Sequence, residues 1–288
     1  MSENKYSYQD CWNYALSLQK NITIERIKND IIALCQTNVE DFWLNFSHKV
    51  LSFANYSEIC QQLSRHFKQN YPIPYLTNQV SFYGLTFYIK KGIFIPQRDT
   101  EILVEKTLEY TEKYWSVKEK LKVLDIGTGC GNIVIALAKN KPNWNLTGID
   151  RSNSALKVAN INAQSYQTKN IRFFSSNLFA NISKKEKFNV IVSNPPYLSI
   201  KEWKKLANSA KKQPQKALVA KNNGYYFYQA IFCQVHFFLT KKFLIVVEIG
   251  YQQVETVIKL VINYFPQSKV SVFPDYSGNI RVIMIWQG

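Results

Sequence analysis

Cysteine, glycine, proline and acidic residues are all scarce in this chain of 288 residues. The cysteines are odd in number, scattered and without a C-x-x-C pair; they are Cys11, Cys35, Cys60, Cys130 and Cys233. This pattern excludes a disulfide framework and a cysteine-based zinc site. It favours a reducing compartment, so we expect a cytoplasmic protein.

Long hydrophobic runs are also missing. The run Phe243 to Val247 has the length of a strand, and no run approaches the length of a membrane span. Residues 1–6 are polar, so we expect neither a secretory leader nor a membrane anchor. His48, His66 and His236 have no partnered acid and no metal-ligand spacing, so we expect structural histidines and no metal site.

Negative charge is outweighed by positive charge. The chain has 36 Lys and Arg against 20 Asp and Glu, a net charge of +16. Such an excess suits an acidic or nucleic-acid partner. Most of these cations are lysines, however, and Asn and Ile are abundant, which is also typical of drift towards A-rich codons. The lysine-rich segment 201–221 has the same two interpretations, steering of an acidic partner or a solvated loop.

The hydrophobic periodicity predicts two parts. Residues 1–75 have the apolar spacing of short amphipathic helices, which Tyr71 to Pro74 should end. Residues around Gly84 predict a β-hairpin within a linker, 76–98, and Asp99 or Thr100 can cap a helix running to about Tyr114. Residues 99–288 form the second domain.

From Leu121 onward, predicted strands and helices alternate. The strands fall near 121–126, 144–150, 170–176, 187–193, 243–249, 269–274 and 281–286, and the helices near 132–140, 153–166, 223–239 and 251–264. This alternation predicts an α/β fold with a doubly wound parallel sheet, whose ligands bind beyond the carboxyl ends of the strands.

The most informative motif is Asn194-Pro195-Pro196-Tyr197, which follows the apolar run Val190 to Ser193. Two prolines stiffen the loop and donate no hydrogen bonds, so its carbonyls remain acceptors. Together with the Asn194 side-chain oxygen they suit a planar group that carries an NH2. A simple Pro-Pro turn with a packed tyrosine is the structural alternative.

A glycine-rich loop precedes this motif. Asp125, Gly127, Thr128, Gly129, Cys130 and Gly131 lie between a predicted strand and a helix that begins near Asn132. Glycines let a backbone approach a ligand closely, and free N–H groups at a helix start attract a carboxylate or phosphate. The next predicted strand ends in Asp150, which is placed to accept two ribose hydroxyls.

Together these residues resemble the class I S-adenosylmethionine-dependent methyltransferases, and most of all the release factor glutamine methyltransferases. The resemblance extends over nearly the whole chain and includes Ile95 to Glu101, Ser154 to Leu156, Ala217-Leu218, Glu248 to Gly250, Gln253, Asp275, Gly278 and Arg281. The chain departs from the family pattern at Gln97, Asn177 and Gln213, where Arg, Asp and an acid are usual.

The resemblance implies a Rossmann-like sheet of seven strands, the last one antiparallel, after a small N-terminal helical domain that recognises the substrate. It implies S-adenosylmethionine as cofactor, held by the loop from Asp125 to Gly131 and by Asp150, Asn177, Leu178 and Asn194. Asn194, Pro195, Pro196 and Tyr197 become the catalytic residues, with Asn194 Oδ1 and the Pro195 carbonyl gripping the substrate amide and Tyr197 packing against it.

The implied reaction is N5-methylation of the glutamine in the Gly-Gly-Gln motif of class I peptide chain release factors by a monomer. A sister enzyme acting on a ribosomal-protein glutamine is one alternative. An adenine-N6 or cytosine-N4 nucleic-acid methyltransferase is another, because such enzymes share an Asn/Asp-Pro-Pro-aromatic loop. No segment suggests a DNA-recognition domain, so we expect no nucleic-acid substrate. A binding regulator without catalysis is the third.

Overall fold

The computed structural model describes residues 5–19 and 23–288. The first four residues of the polar start lie outside the described residues. Two compact units are present. The first extends to residue 79 and includes 207–212, and the second comprises 80–206 and 213–288. Each unit buries its own apolar side chains, as a chain of this length allows.

The first unit is helical. Its helices are α1 (Tyr8–Leu18), α2 (Ile24–Cys35), α3 (Val39–Leu44), α4 (Phe53–Gln69) and α5 (Ile73–Thr77). Short polar side chains begin four of them; at α1 a capping box joins Ser7 and Asp10. The apolar faces pack around fully buried Ile27, Ile31 and Leu63. The predicted periodicity is therefore present as amphipathic helices.

Two local expectations in this unit are wrong. Pro74 does not end the helical region, because it lies in the first turn of α5, where its missing N–H costs nothing. His66 does have an acidic neighbour: its Nε2 lies 3.3 Å from Asp30 Oδ2, and its Nδ1 lies 2.7 Å from the Tyr71 carbonyl. The pairing escaped the sequence because Asp30 and His66 lie on different helices.

A β-hairpin of β1 (Gln79–Phe82) and β2 (Leu85–Tyr88) precedes the sheet. Tyr83 and Gly84 both have positive φ, as a type I′ turn requires. The Tyr88 N–H donates to Asn162 Oδ1 over 2.7 Å, and Asn162 Nδ2 donates back to the Tyr88 carbonyl. The hairpin is thus fastened to the second unit.

The second unit contains a seven-stranded sheet, which confirms the predicted architecture. Its strands are β3 (Lys122–Ile126), β4 (Asn145–Asp150), β5 (Ile171–Ser175), β6 (Phe188–Ser193), β7 (Leu239–Glu248), β8 (Lys269–Pro274) and β9 (Ile280–Gln287). They lie in the order β5-β4-β3-β6-β7-β9-β8. Strands β3 to β7 are parallel, whereas β9 pairs antiparallel with both β7 and β8.

Alternating side chains of the central strands enter two cores, one on each face of the sheet. Val123 and Val190 lie in one core, and Leu124 and Ile191 lie in the other. Burial on both faces explains why these strands are continuously apolar. The helices that cover the sheet are α6 (Glu101–Tyr114), α7 (Asn132–Asn140), α8 (Asn153–Ser165), α10 (Tyr226–Val235) and α11 (Val254–Tyr264); a short α9 (Ile200–Lys205) follows β6.

The expectation that Asp99 or Thr100 caps α6 is wrong, since no described side chain makes a capping hydrogen bond there. Thr100 stands at its N-cap but makes no capping hydrogen bond, because its hydroxyl donates to Glu248 instead. Within the described ranges, no helix is both long enough and apolar enough to cross a bilayer.

Candidate functional site

A cavity of about 290 Å³ lies in the second unit, beyond the carboxyl ends of the parallel strands. Most of the residues predicted from the motifs line it: Gly127, Thr128, Gly129, Cys130, Asp150, Asn177, Leu178, Asn194, Pro195 and Pro196. Asp125, Gly131 and Tyr197 do not line it. The topology explains why these motif residues lie together, since parallel strands place the loops that follow them at one edge of a sheet.

The glycine loop is held by its own backbone. Gly127 and Thr128 both donate their N–H groups to the Ile149 carbonyl, at 2.8 and 2.9 Å, and Gly131 donates to Thr128. The N–H groups of these three residues are therefore already satisfied; the free N–H groups expected at the start of α7, near Asn132, stay a prediction. Gly127 and Gly129 have φ of +77° and +57°, a region that L side chains rarely adopt. At these two glycines the cavity is lined by main-chain atoms, with no side chain in between.

Asp150 joins this loop to the end of β4. Its Oδ2 accepts the Gly129 N–H over 3.0 Å, and its Oδ1 accepts the Ser152 N–H over 2.8 Å. Each carboxylate oxygen has a further lone pair for a ligand hydroxyl. Burial raises the pKa of Asp150, while the Ser152 and Gly129 N–H groups oppose that rise.

Asp125 lies behind the loop and is fully buried. Its Oδ2 accepts the Thr128 hydroxyl over 2.6 Å, and its Oδ1 has no hydrogen-bond partner within the described part of the chain. Burial raises the pKa of Asp125 to about 7. Gly131 packs against α8: a Cβ there would lie 3.2 Å from Ala159 Cβ, so the glycine permits close helix packing.

Asn177 and Leu178 form the cavity wall after β5. Leu178 has φ +51°, and its carbonyl accepts the Ser176 hydroxyl over 2.6 Å. The Ser176 N–H in turn donates to the Asp150 carbonyl. This strained turn is thereby fixed to the end of β4, which carries the ribose-binding candidate.

The Asn-Pro-Pro-Tyr loop leaves β6 at the opposite wall. The Ser193 hydroxyl at the strand end donates to the Ile126 carbonyl over 2.8 Å. Among the residues that the structure describes, no hydrogen-bond donor reaches the Pro195 carbonyl. Asn194 Nδ2 donates to Thr100 Oγ1 over 3.0 Å. An amide oxygen and a main-chain carbonyl therefore remain as acceptors on this wall.

A buried network supports that loop from behind. Thr100 Oγ1 donates to Glu248 Oε2 over 2.6 Å, and the Tyr197 hydroxyl donates to Glu248 Oε1 over 3.3 Å. Burial raises the pKa of Glu248 to about 7, whereas Thr100, Arg281 and Tyr197 lower it. The prediction that Tyr197 packs against a substrate amide stays a prediction; here its hydroxyl contacts Glu248.

Sequence reasoning missed the apolar part of the cavity. Ile93 and Phe94 precede α6, and Phe227 and Ile231 lie one turn apart on α10. The spacing of four residues on a helix was the available signal for the second pair. These side chains give the cavity an apolar face opposite its polar strand ends, a mixture typical of ligand sites.

Two departures from the family pattern also occur near the site. Gln213 Oε1 accepts the Ile95 N–H over 3.0 Å, and Gln97 Nε2 donates to the Ile95 carbonyl over 2.7 Å. An amide oxygen accepts an N–H as a carboxylate does, so Gln213 still holds the segment that follows Phe94. In 5–19 and 23–288 no group of three His, Cys, Asp or Glu side chains could hold a metal ion.

The cavity fits S-adenosylmethionine on its own features. A Cβ on Gly127 would meet no atom within 4 Å, so the loop leaves space for a ligand directly above its backbone. Asp150 offers a half-buried carboxylate for ribose hydroxyls, and Leu178 and Ile133 offer apolar contacts. A carboxylate beside apolar walls and an open main chain thus matches the nucleoside part of that cofactor.

Comparison with known proteins agrees with the fold. A family model described as methyltransferase small domain matches residues 85–229. The release factor glutamine methyltransferase of Buchnera aphidicola subsp. Schizaphis graminum is 38% identical over 73% of this chain and 74% of its own length. That of Lactococcus lactis subsp. lactis is 35% identical over 84% and 87%. The solved hMettl16 catalytic domain is 14% identical, with a TM-score of 0.57 over 90% and 91%; that likeness bears on the fold alone.

Proposed function

Since this chain belongs to the release factor glutamine methyltransferase family, we propose that it methylates N5 of the glutamine in the Gly-Gly-Gln motif of class I peptide chain release factors. S-adenosylmethionine is the methyl donor of this class of methyltransferases. The observation that carries the proposal is the pair of acceptors at the cavity wall, Asn194 Oδ1 and the Pro195 carbonyl.

We assign the cofactor-binding role to one side of the cavity. Gly127 to Cys130 give close backbone approach, Asp150 accepts the ribose hydroxyls, and Asn177 with Leu178 faces the base. Asp125 acts through Thr128, and Gly131 acts by letting α7 pack closely on α8. When bound, S-adenosylmethionine supplies the electrophilic methyl group.

The other side binds the amide. An amide nitrogen is a poor nucleophile because its lone pair is delocalised into the carbonyl. Asn194 Oδ1 and the Pro195 carbonyl accept its two N–H groups and favour a more pyramidal nitrogen, whose lone pair is then available for the new N–C bond. The S–CH3 bond of the bound donor would break as this bond forms, and one N–H proton would leave to water after the transfer. The effect of the two acceptors is larger in the transition state than in the ground state. Pro196 stiffens the loop, and Tyr197 supports it from behind.

Substrate recognition, oligomeric state and location are properties of the whole chain. The described residues of the first unit contain no catalytic constellation, and we assign to its helices the recognition of the folded release factor. We also propose that the chain is active as a monomer. All five cysteines are free thiols, which supports a cytoplasmic location.

Mass spectrometry tests the proposal directly. A release factor, a duplex DNA and a ribosomal RNA are each incubated with the chain and labelled S-adenosylmethionine. We expect one methyl group on the Gly-Gly-Gln glutamine and none in either nucleic acid. Label in DNA or RNA, with steep salt dependence, would support the nucleic-acid alternative instead.

A further inference from the structure

Asn194 can act as proposed only if its side-chain oxygen, and not its NH2 group, faces the substrate. An asparagine amide has one donor end and one acceptor end, and a half-turn about χ2 exchanges them. With the NH2 group towards the cavity, two donors would oppose each other and the substrate amide would be repelled. Some part of the protein must therefore fix the orientation of Asn194.

The hydrogen bonds of Thr100 fix the orientation of the Asn194 amide. Thr100 Oγ1 has one proton, and Glu248 Oε2 lies 2.6 Å away. An ionised carboxylate only accepts, so the proton must point at Glu248. The Thr100 oxygen is then left as an acceptor, and Asn194 can approach it at 3.0 Å only with its NH2 group. Asn194 Oδ1 then lies at the other end of the planar amide group, directed away from Thr100.

We propose that Glu248 and Thr100 are positioning residues, which act through Asn194 by setting a one-way chain of hydrogen bonds that keeps Asn194 Oδ1 available to the substrate amide. This inference rests on the proposed function. It assigns to Thr100 and Glu248 no contact with substrate or cofactor, since neither lines the cavity.

Burial strengthens the fixed direction of these hydrogen bonds. Thr100 and Glu248 are 1% and 2% exposed, so water does not compete for their hydrogen bonds. A second donor, the Tyr197 hydroxyl, lies 3.3 Å from Glu248 Oε1 and leaves Oε2 to Thr100. Reversing Asn194 would place its Oδ1 against the Thr100 oxygen, two acceptors facing one another at a buried position that water cannot relieve, which is costly.

Thr100→Val tests this hydrogen-bond chain because it removes the hydroxyl of Thr100 and keeps the shape of the side chain. We expect kcat for release factor methylation to fall at least tenfold, with KM and cofactor affinity nearly unchanged, and Thr100→Ser to restore most of the rate. Thr107→Val is the matched control: Thr107 is buried within α6, the helix that follows Thr100, but its hydroxyl donates to the Leu103 carbonyl of that same helix. That variant should keep wild-type kcat.

The second measurement does not depend on turnover. In protein labelled with 15N-asparagine, the side-chain NH2 signals of Asn194 are assigned by their loss in Asn194→Asp. We expect slow solvent exchange in the wild type and faster exchange with shifted signals in Thr100→Val, but not in Thr107→Val. If Thr100→Val fails to fold, Glu248→Gln takes its place, because its amide can donate to Thr100 and so abolishes the fixed direction.

The outcomes separate the two claims. If the wild type labels no release factor, the proposed function fails, and the exchange of the Asn194 signals still decides the positioning role. If the wild type labels release factor while Thr100→Val turns over equally fast with unchanged Asn194 signals, the positioning role is overturned alone. A rate loss that Thr100→Ser fails to restore would also overturn it.

Discussion

Gln253 Nε2 donates a hydrogen bond of 2.9 Å to the main-chain carbonyl of Tyr197. Gln253 is buried, and its Oε1 accepts the Tyr228 hydroxyl over 3.1 Å and the Gly250 N–H over 3.2 Å. The last residue of the Asn-Pro-Pro-Tyr loop is thus tied to the segment after β7. The rate of methyl transfer should therefore depend on how firmly that loop is held.

Gly224→Ala should damage the loop. A Cβ on Gly224 would lie 2.2 Å from the Tyr197 carbonyl oxygen and 2.6 Å from Gln253 Nε2, at a φ of +96°. Overpacking of this kind costs about 1–3 kcal/mol and the strained backbone about 1–2 more. Chemical denaturation should show that loss of unfolding free energy, together with slower methyl transfer.

Gly278→Ala is its control. Gly278 has a similar φ of +84°, but a Cβ there would meet nothing within 4 Å. It should lose only the backbone contribution and keep its activity. Equal losses in both variants would mean that the close approach to Tyr197 contributes nothing.

Asn194→Ala should abolish methylation while cofactor binding stays measurable. It removes an acceptor for the substrate amide, and loss of one such oriented contact costs ~10²–10³ in rate. Single-turnover label transfer gives the rate. Asn189→Ala, at the other end of β6, removes an acceptor for the Lys122 N–H and should leave the rate unchanged. Near wild-type turnover of Asn194→Ala would contradict the role of Asn194 as acceptor for the substrate amide.

Asp150→Ala should weaken S-adenosylmethionine binding. It removes the proposed ribose contact and also the acceptor that holds the Gly129 N–H. A hydrogen bond to a charged group contributes roughly 1.5–3 kcal/mol, so affinity should fall about tenfold or more. Titration calorimetry measures this affinity. An unchanged dissociation constant would mean that another residue makes the ribose contact.

Methyl transfer should fall as the pH drops through about 7. Burial raises the pKa of Glu248 to that value although Arg281 opposes the rise; Tyr197 and Asp99 are the other ionisable groups acting on it. Ionised above its pKa, Glu248 accepts from Thr100; protonated below it, Glu248 can donate, and the fixed direction is lost.

A comparison of pH profiles checks this assignment. The acid limb of kcat should disappear in Glu248→Gln, which cannot titrate. Asp125 also has a pKa of about 7, so cofactor affinity is measured over the same range to separate its contribution. An acid limb that persists in Glu248→Gln would assign the titration to another group.

A truncated chain that begins at Gln79 should bind cofactor yet lose methylation of intact release factor. Every cavity-lining residue lies after that point, while contacts remote from the reacting amide hold it in line. Circular dichroism establishes that the truncated chain folds, and calorimetry that it binds cofactor. Methylation of intact release factor at the full-length rate would remove the recognition role from the first unit.

The sequence by itself determined the sheet and the location of the cavity. Continuous apolar runs such as Val190 to Val192 predict strands buried on both faces, and the glycines of residues 127–131 predict a backbone that a ligand can approach. Both signals are local, because periodicity and backbone freedom depend on neighbouring residues. The family resemblance then supplied the antiparallel strand and the expected chemistry.

Only the tertiary structure decided which partners the polar side chains take. Thr100 was expected to cap α6, but its hydroxyl donates to Glu248, 148 residues further along the chain. Similarly, Tyr197 supports the loop from behind, and the glycine-loop N–H groups are satisfied by Ile149 and Asp150. A hydrogen bond requires its two atoms to lie about 3 Å apart, and chain folding brings such distant residues together.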